Sequence, residues 1–535
     1  MAHSKHNADL SNDKNSFFMQ LNQNELRTLG DIKRRADNIG YPFILENQKA
    51  LEAEFTQMFA VLQKRKNEDD KAFWMYCYYC ATLLETFHKA YSQYSKEEDY
   101  KKIKQQIKNR LLNKQQEDAK AEEEFIESLK NSFINSFRNL MNAPLHLSQI
   151  RDYVAYANLC RVYWVFCRLT LVSGFAFAKD THLIDHLDSI LGTHTDVDQI
   201  IDFLNAPNGV LKYFSVGLFL MRFAIDAGYL IEHTCFPTAE EEKNGTTAYD
   251  RFKFELYKRH CNFANDLVWA TINFLTNFNH ITHIPDPTAG VITFVFLGFD
   301  VCMTLYKCHL AKQEYLAKKA QYEQEMEDYL NHPEKFPGMT DKQRIAHAAM
   351  LQKQLKELEI NWRTKESTFY FVAAAAALLM MGFGASLLFT GPGIAVACFF
   401  VCTVAVAMYL SSDAYSKYQE KSIRLEEATE KEYAAALVEY EAARNDFIFT
   451  LIKNTVMPTL LIAAYATCWP AAIALTVLYV GYEIYHAYDQ HNSKKEAAQL
   501  ALEGPNKEDK EDKDDSLLLD EGRMNDLDET SCFSC

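Results

Sequence analysis

STFYFVAAAAALLMMGFGASLLFT, then Gly391-Pro392-Gly393, then IAVACFFVCTVAVAMYLSS run from Ser367 to Ser412 without one charged residue. A helix crosses ~30 Å of hydrocarbon in ~20 apolar residues, and each half supplies about that. Gly-Pro-Gly ends one helix and starts the next within three residues. The stretch 367–412 therefore predicts a transmembrane helical hairpin with Gly391, Pro392 and Gly393 at its turn.

Downstream, a charged helical connector (413–446) leads to a second hydrophobic hairpin (447–488), turned at Trp469 and Pro470. Pro458 and the shortness of its halves leave two arrangements open, a further pair of spans or packing in the head. No Gly or Pro lies between Ile394 and Met457, so a single helix of ~95 Å is a third arrangement, and such a helix does not return to the same bilayer. Long charged connectors and uncharged tips predict that both hairpins enter from one side. Lys353, Lys356, Arg363, Lys365 and Lys417 mark that side as cytosolic by the positive-inside rule.

Upstream, Leu351, Leu355, Leu358 and Trp362 form a short heptad seam. Thr340 and Gln343 have the spacing of a capping box, and Thr288 to Asn331 reads as one long helix between Pro287 and Pro333. The two helices predict an antiparallel stalk over 311–366. Residues 146–310 hold apolar stretches interrupted by Arg161, Arg168, Lys212, Arg222, Asp226 and Glu232. Each such charge at a bilayer centre costs ~3 kcal/mol, so this region is expected to form the core helices of an apolar helical head. Residues 1–145 are an N-terminal helical region, broken at Gly40-Tyr41-Pro42 and including the aromatic run AFWMYCYYCATLLETFHKAYSQ. Residues 489–535 form an acidic tail, expected to be disordered. The fold class is all-α: a helical bundle head, an antiparallel helical stalk, transmembrane helical hairpins and that tail.

Composition agrees. The 535 residues include only 18 Gly and 12 Pro, few breakers for so long a chain. The net charge of −16 argues against nucleic acid as a partner. Thirteen cysteines, an odd number, lie mostly in apolar helical runs, which points to a reducing compartment rather than a disulfide framework. The first residues hold no apolar stretch behind a basic start and predict no secretory signal peptide.

Candidate sites are few. His182, Asp185 and His186 have helical spacing for a metal, but the Glu of His-Glu-x-x-His is missing, so no metal and no cofactor is expected. Cys77 and Cys80 have redox spacing inside an aromatic helical run, where core packing is the better account. No phosphate-binding glycine loop, dinucleotide fingerprint, nucleophile elbow or zinc-protease motif occurs, and no catalytic residue is assigned. Cys532, fourth from the end, is a candidate lipidation site.

A Lys/Asn/Phe/Tyr-rich helical chain with Gly-Pro-Gly membrane hairpins, flanked by coiled-coil-like helices, resembles the multi-pass membrane effectors exported by Dot/Icm-type type IV secretion systems of intravacuolar bacteria. Its end is similar too: Asp520, Glu521, Asp526, Asp528 and Glu529 form an acidic cluster before small residues, like such an export signal. The resemblance implies a virulence factor acting at a host organelle membrane, head and tail facing the cytosol. The expected function is a non-enzymatic scaffold, tether or membrane-shaping factor. Its expected partners are membrane lipids and host or self proteins, met through head and stalk. The alternatives are a pore or transporter subunit, or an enzyme with a non-local site in the head.

Overall fold

The structure, a computed structural model, describes residues 2–63, 70–90, 93–111, 147–192, 194–237, 247–389, 391–467 and 472–478. Among them are sixteen α-helices and no strand, so the chain is all-α. The turn at Trp469 and Pro470, the tail with Cys532 and the acidic cluster, and the boundary at 145 lie outside the described residues.

Five helices build the N-terminal bundle: α1 (Ala2–Asn22), α2 (Leu29–Asn38), α3 (Tyr41–Gln63), α4 (Lys71–Ala90) and α5 (Tyr94–Leu111). Thr28 and Asp31 cap α2 reciprocally, satisfying two backbone donors the helix leaves open. Gly40 takes φ +85° between α2 and α3, a conformation that costs other residues more than glycine. The aromatic run becomes α4 and is the core. Tyr76, Cys77, Tyr79 and Cys80 are fully buried against Phe17 and Phe18 of α1. Burial pushes both thiols up, which makes them inert packing groups.

The stalk is part of something longer. Helices α12 (Asp286–Asn331) and α13 (Asp341–Leu388) are 46 and 48 residues long, roughly 70 Å each. Pro287 lies in the first turn of α12, and the expected capping box opens α13, with Gln343 N–H donating to Thr340 Oγ1 at 3.3 Å. The helices run antiparallel in one register. Tyr329 stacks on His347 and Tyr315 on Trp362, and farther along Gly298 faces Met380, Phe294 faces Gly384 and Leu387 faces Gly290. The heptad residues Leu351 and Leu358 are buried, with Leu355 packed beside them.

A charged knot ties this pair to the N-terminal bundle. Lys14 donates to Glu54 at 2.8 Å and Glu325 at 3.1 Å, Lys318 donates to Glu54 at 2.8 Å, and Gln354 donates to Glu54 at 3.1 Å. All five are buried. Burial opposes ionisation of Glu54, but the two ammonium groups outweigh it and hold the carboxyl well below the usual range. Lys14 is held above the ordinary lysine value, since Glu325 and Glu54 outweigh the same desolvation.

From the far end of α13 the chain turns through Gly391 into α14 (Pro392–Leu410), with Pro392 in its first turn as read from the sequence. The two helices meet closely: a Cβ on Gly382 would stand 2.9 Å from Cys402 Sγ and 3.0 Å from the Cys398 carbonyl oxygen. The single long helix after Ile394 does not form. The chain breaks at Ser411, whose hydroxyl donates to the Ala407 carbonyl. It continues as α15 (Ser412–Glu426), then reverses at 427–429 into α16 (Glu430–Thr467). The expected connector is thus an antiparallel pair, pinned by Lys421–Glu439 at 2.6 Å. Pro458 lies inside α16 without ending it. The far half of α16 places Ile462 and Ala466 in one cluster with Cys402, Ala405 and Val406 of the hairpin and with Tyr163, Phe166, Cys167, Ile200 and Leu204 of the 146–310 region, so the first half of the second hydrophobic stretch packs against both.

Six helical segments are long and apolar enough to cross a membrane: Ala157–Asp180, Val197–Cys235, Asp286–Asn331, Asp341–Leu388, Gly393–Leu410 and Glu432–Thr467. Three originate wholly or mainly in 146–310, the region expected to supply head core helices. Their helices are α6 (Leu147–Asp180), the joined α8 (Val197–Asn205) and α9 (Asn208–Cys235), and α12. Much of their apolar surface is exposed in the structure. Of the charges that argued against membrane crossing, Arg222 and Asp226 meet opposite charges across helices.

Candidate functional site

Ionisable side chains among apolar helices are expensive, and by default they mark function. Here they come from α6, α9 and α10 (Ala248–Asn277). On α9, Arg222 and Asp226 are one turn apart. On α10, Glu255, Arg259 and Asp266 follow at four and seven residues, so each helix turns one polar ridge inward.

Asp226 is fully buried and takes two guanidinium groups, Arg151 of α6 at 3.0 Å and Arg259 of α10 at 2.9 Å. Arg259 also donates to Glu255 at 2.9 Å and lies over the Tyr229 ring at 4.5 Å. One turn along, Arg222 donates to buried Asp266 at 2.9 Å. Arg251 donates to the His233 carbonyl at 2.7 Å. Deeper still, Trp269 Nε1 donates to Asp300 of α12 at 2.8 Å. Removing one partner from such a set leaves a buried charge alone, which costs ~3–5 kcal/mol. The seam welds three helices and brings ionisable groups within reach of the apolar layer.

Two further cations have no such carboxylate among the described residues. Arg161 donates to Asn158 Oδ1 at 3.2 Å and Arg168 to Asn205 Oδ1 at 2.8 Å, both neutral acceptors.

The residues singled out from sequence fall elsewhere. His182 takes φ +55° ahead of α7 (Leu183–Leu191) and pairs with Asp185 at 2.9 Å, both exposed. His186 follows one turn on, also exposed. Among the described residues no three His, Cys, Asp or Glu side chains gather closely enough to hold a metal. Gly391, Pro392 and Gly393 form the hairpin turn, near Phe177 at the end of α6. Arg222 and Asp226 were visible in the sequence as costs. Their partners were not, because Asp266 and Arg259 lie 44 and 33 residues away on another helix. The readable signal was the four- and seven-residue spacing of charges in two neighbouring apolar stretches.

No family model, no curated protein and no solved structure matches this chain.

Proposed function

We propose that the chain is a multi-pass membrane scaffold that holds an N-terminal helical bundle at a fixed place beside a bilayer, offering the bundle and stalk to protein partners. The observation that carries this reading is the unbroken α12–α13 pair, which runs from the apolar layer into the N-terminal bundle and is tied there by the Lys14–Glu54–Lys318 knot. Tyr415 and Tyr418 stack with Phe371 and Phe447 where helices pass from charged to apolar. Aromatic side chains at that level suit a membrane interface.

The bundle, the 332–340 turn and the 427–429 reversal lie toward one end of the long helices, and the Gly391 turn lies at the other. That arrangement supports entry of the hairpins from one side, with the charged parts in the cytosol. Delivery to a host organelle membrane by type IV secretion rests on the compositional resemblance alone. Alkaline carbonate should leave the full chain in the membrane pellet, and protease on sealed vesicles should cut near Pro333 and Arg424 while sparing a tag at Gly391. Release into the supernatant, or cleavage of the Gly391 tag with protection at 427–429, would reject the arrangement. A translocation reporter fused to the whole chain should require the last ~30 residues if export is correct.

A transporter subunit is the second reading, favoured by Arg222–Asp266 and Arg168 beside the apolar hairpin. The 367–412 hairpin alone supplies only Ser and Thr, too little polarity for an ion path. Proteoliposome flux that disappears in Asp266→Asn, with the fold retained, would favour it over the scaffold.

A further inference from the structure

Arg151, Arg222 and Arg259 each meet a carboxylate, whereas Arg161 and Arg168, on the same helix as Arg151, meet only side-chain amide oxygens among the described residues. Arg168 is 7% exposed, and its Nε is buried without a hydrogen-bond partner among the described residues. Between the two arginines, three residues from one and four from the other, Trp164 lies on the same ridge of α6. Its indole N–H is also buried without an acceptor there. The ridge thus presents two permanent cations and a neutral donor. Arginine does not shed its proton in proteins, and a guanidinium held out of water without a counter-charge is costly. A group made of donors alone calls for an acceptor, and two fixed positive charges call for an anion.

We propose that Arg161, Trp164 and Arg168 form an anion site on α6 that takes a phosphate group. Guanidinium forks match phosphate oxygens two at a time. The two arginines are seven residues apart, ~10 Å along the helix, and closing that span on one phosphate requires Arg161 to turn from Asn158, to which its Nε donates at 3.2 Å. The ridge lies within Ala157–Asp180, one of the segments apolar enough to cross a bilayer, so the phosphate comes either from an anionic phospholipid or from solution. The inference rests on the membrane reading for its setting, and carbonate extraction tests that reading separately.

The test uses the full chain, purified in mild detergent and reconstituted into phosphatidylcholine nanodiscs with or without phosphatidylglycerol. Native mass spectrometry should find phosphatidylglycerol retained by the wild type and retention at least ten-fold lower in Arg161→Gln/Arg168→Gln, which identifies a lipid phosphate. If inorganic phosphate instead raises the unfolding midpoint in phosphatidylcholine alone, and the double variant abolishes the rise, the phosphate is a soluble one. Arg161→Gln by itself, at the less buried of the two positions, keeps the experiment decisive should the double variant fail to fold, because it must also weaken retention. Arg161→Lys/Arg168→Lys should keep part of the binding. Equal behaviour of wild type and folded variants toward both probes overturns the proposal, as does a carboxylate from residues 112–146 or 481–535 cross-linking to this ridge.

Discussion

The two halves of α13 are one helix that buries two kinds of side chain. Toward the N-terminal bundle it buries Met350, Leu351, Gln354, Glu357, Leu358 and Trp362, large or charged groups with their own partners. Toward the turn it buries Ala373, Ala375, Ala376, Leu379 and Gly382, all but Leu379 small groups that let backbones approach. The first half excludes water with bulk and pairs its buried charge, as Glu357 does with the two Nη atoms of Arg424 at 2.9 and 3.2 Å. The second half has no hydrophobic drive to associate in a lipid environment and relies on closeness. The contrast teaches that what stabilises a helix pair depends on what it is taken out of.

The largest expected effect breaks the first half. Glu54→Gln leaves Lys14 and Lys318 buried around a neutral group, and should cost the N-terminal bundle ~3–5 kcal/mol, read as early proteolysis of residues 1–111 while the hairpin stays protected. Restoring neutrality with Lys318→Met beside it, which leaves Lys14 paired with Glu325, should recover most of that loss. Gly382→Leu is the matching lesion in the second half. Its side chain meets the Cys398 backbone oxygen, which cannot yield as a flexible side chain would, so the α13–α14 contact should weaken by ~1–3 kcal/mol. Unfolding in nanodiscs should detect the loss, with the bundle unaffected.

The pH dependence should be strongest where buried charges meet the N-terminal bundle. Glu54 is held below its ordinary value, so its contribution is full above the usual carboxylate range and fades as the medium acidifies through the folded value. Lys14 is held above its ordinary value, so its contribution persists until the medium becomes more alkaline than an ordinary lysine requires. Lys258 behaves oppositely. Burial against Phe87 and Phe254 lowers it to about 8, so the unfolded chain holds that proton more tightly and stability rises from pH ~8 to ~10.5, by at most ~3 kcal/mol. Lys258→Met should flatten that rise. The smallest effect is at the rim, where exposed Arg363 pairs with Glu426 at 2.8 Å. Arg363→Ala should cost under ~0.5 kcal/mol and vanish in high salt.

Most of the helix framework was legible because its signals are local. The Thr340 capping box, the heptad leucines, the prolines near the ends of α12 and the Gly391 turn each act within a few residues. The reversal at 427–429 was not legible, since Ala428-Thr429 contains no breaker and the chain turns there through tertiary contacts such as Arg424–Glu357 and Lys421–Glu439. The seam was half legible: a lone Asp226 in an apolar stretch reads as a penalty until Arg151 and Arg259 are placed beside it. Spacing along one helix carries no information about a partner on another.

The constant register of α12 and α13 has a mechanical side. A stiff strut anchored in a fluid layer is a lever, with its fulcrum near the middle of the layer and its load at the far end. From the level of Gly298 to Asn331 the strut measures ~50 Å, so a tilt of about 10° sweeps its tip through roughly 9 Å, a distance comparable to a helix diameter. Helices tilt when hydrocarbon thickness changes. In the proposed membrane setting, a bundle clamped to such an arm by Glu54 and its lysines would move across the membrane surface by far more than the bilayer itself thins or thickens.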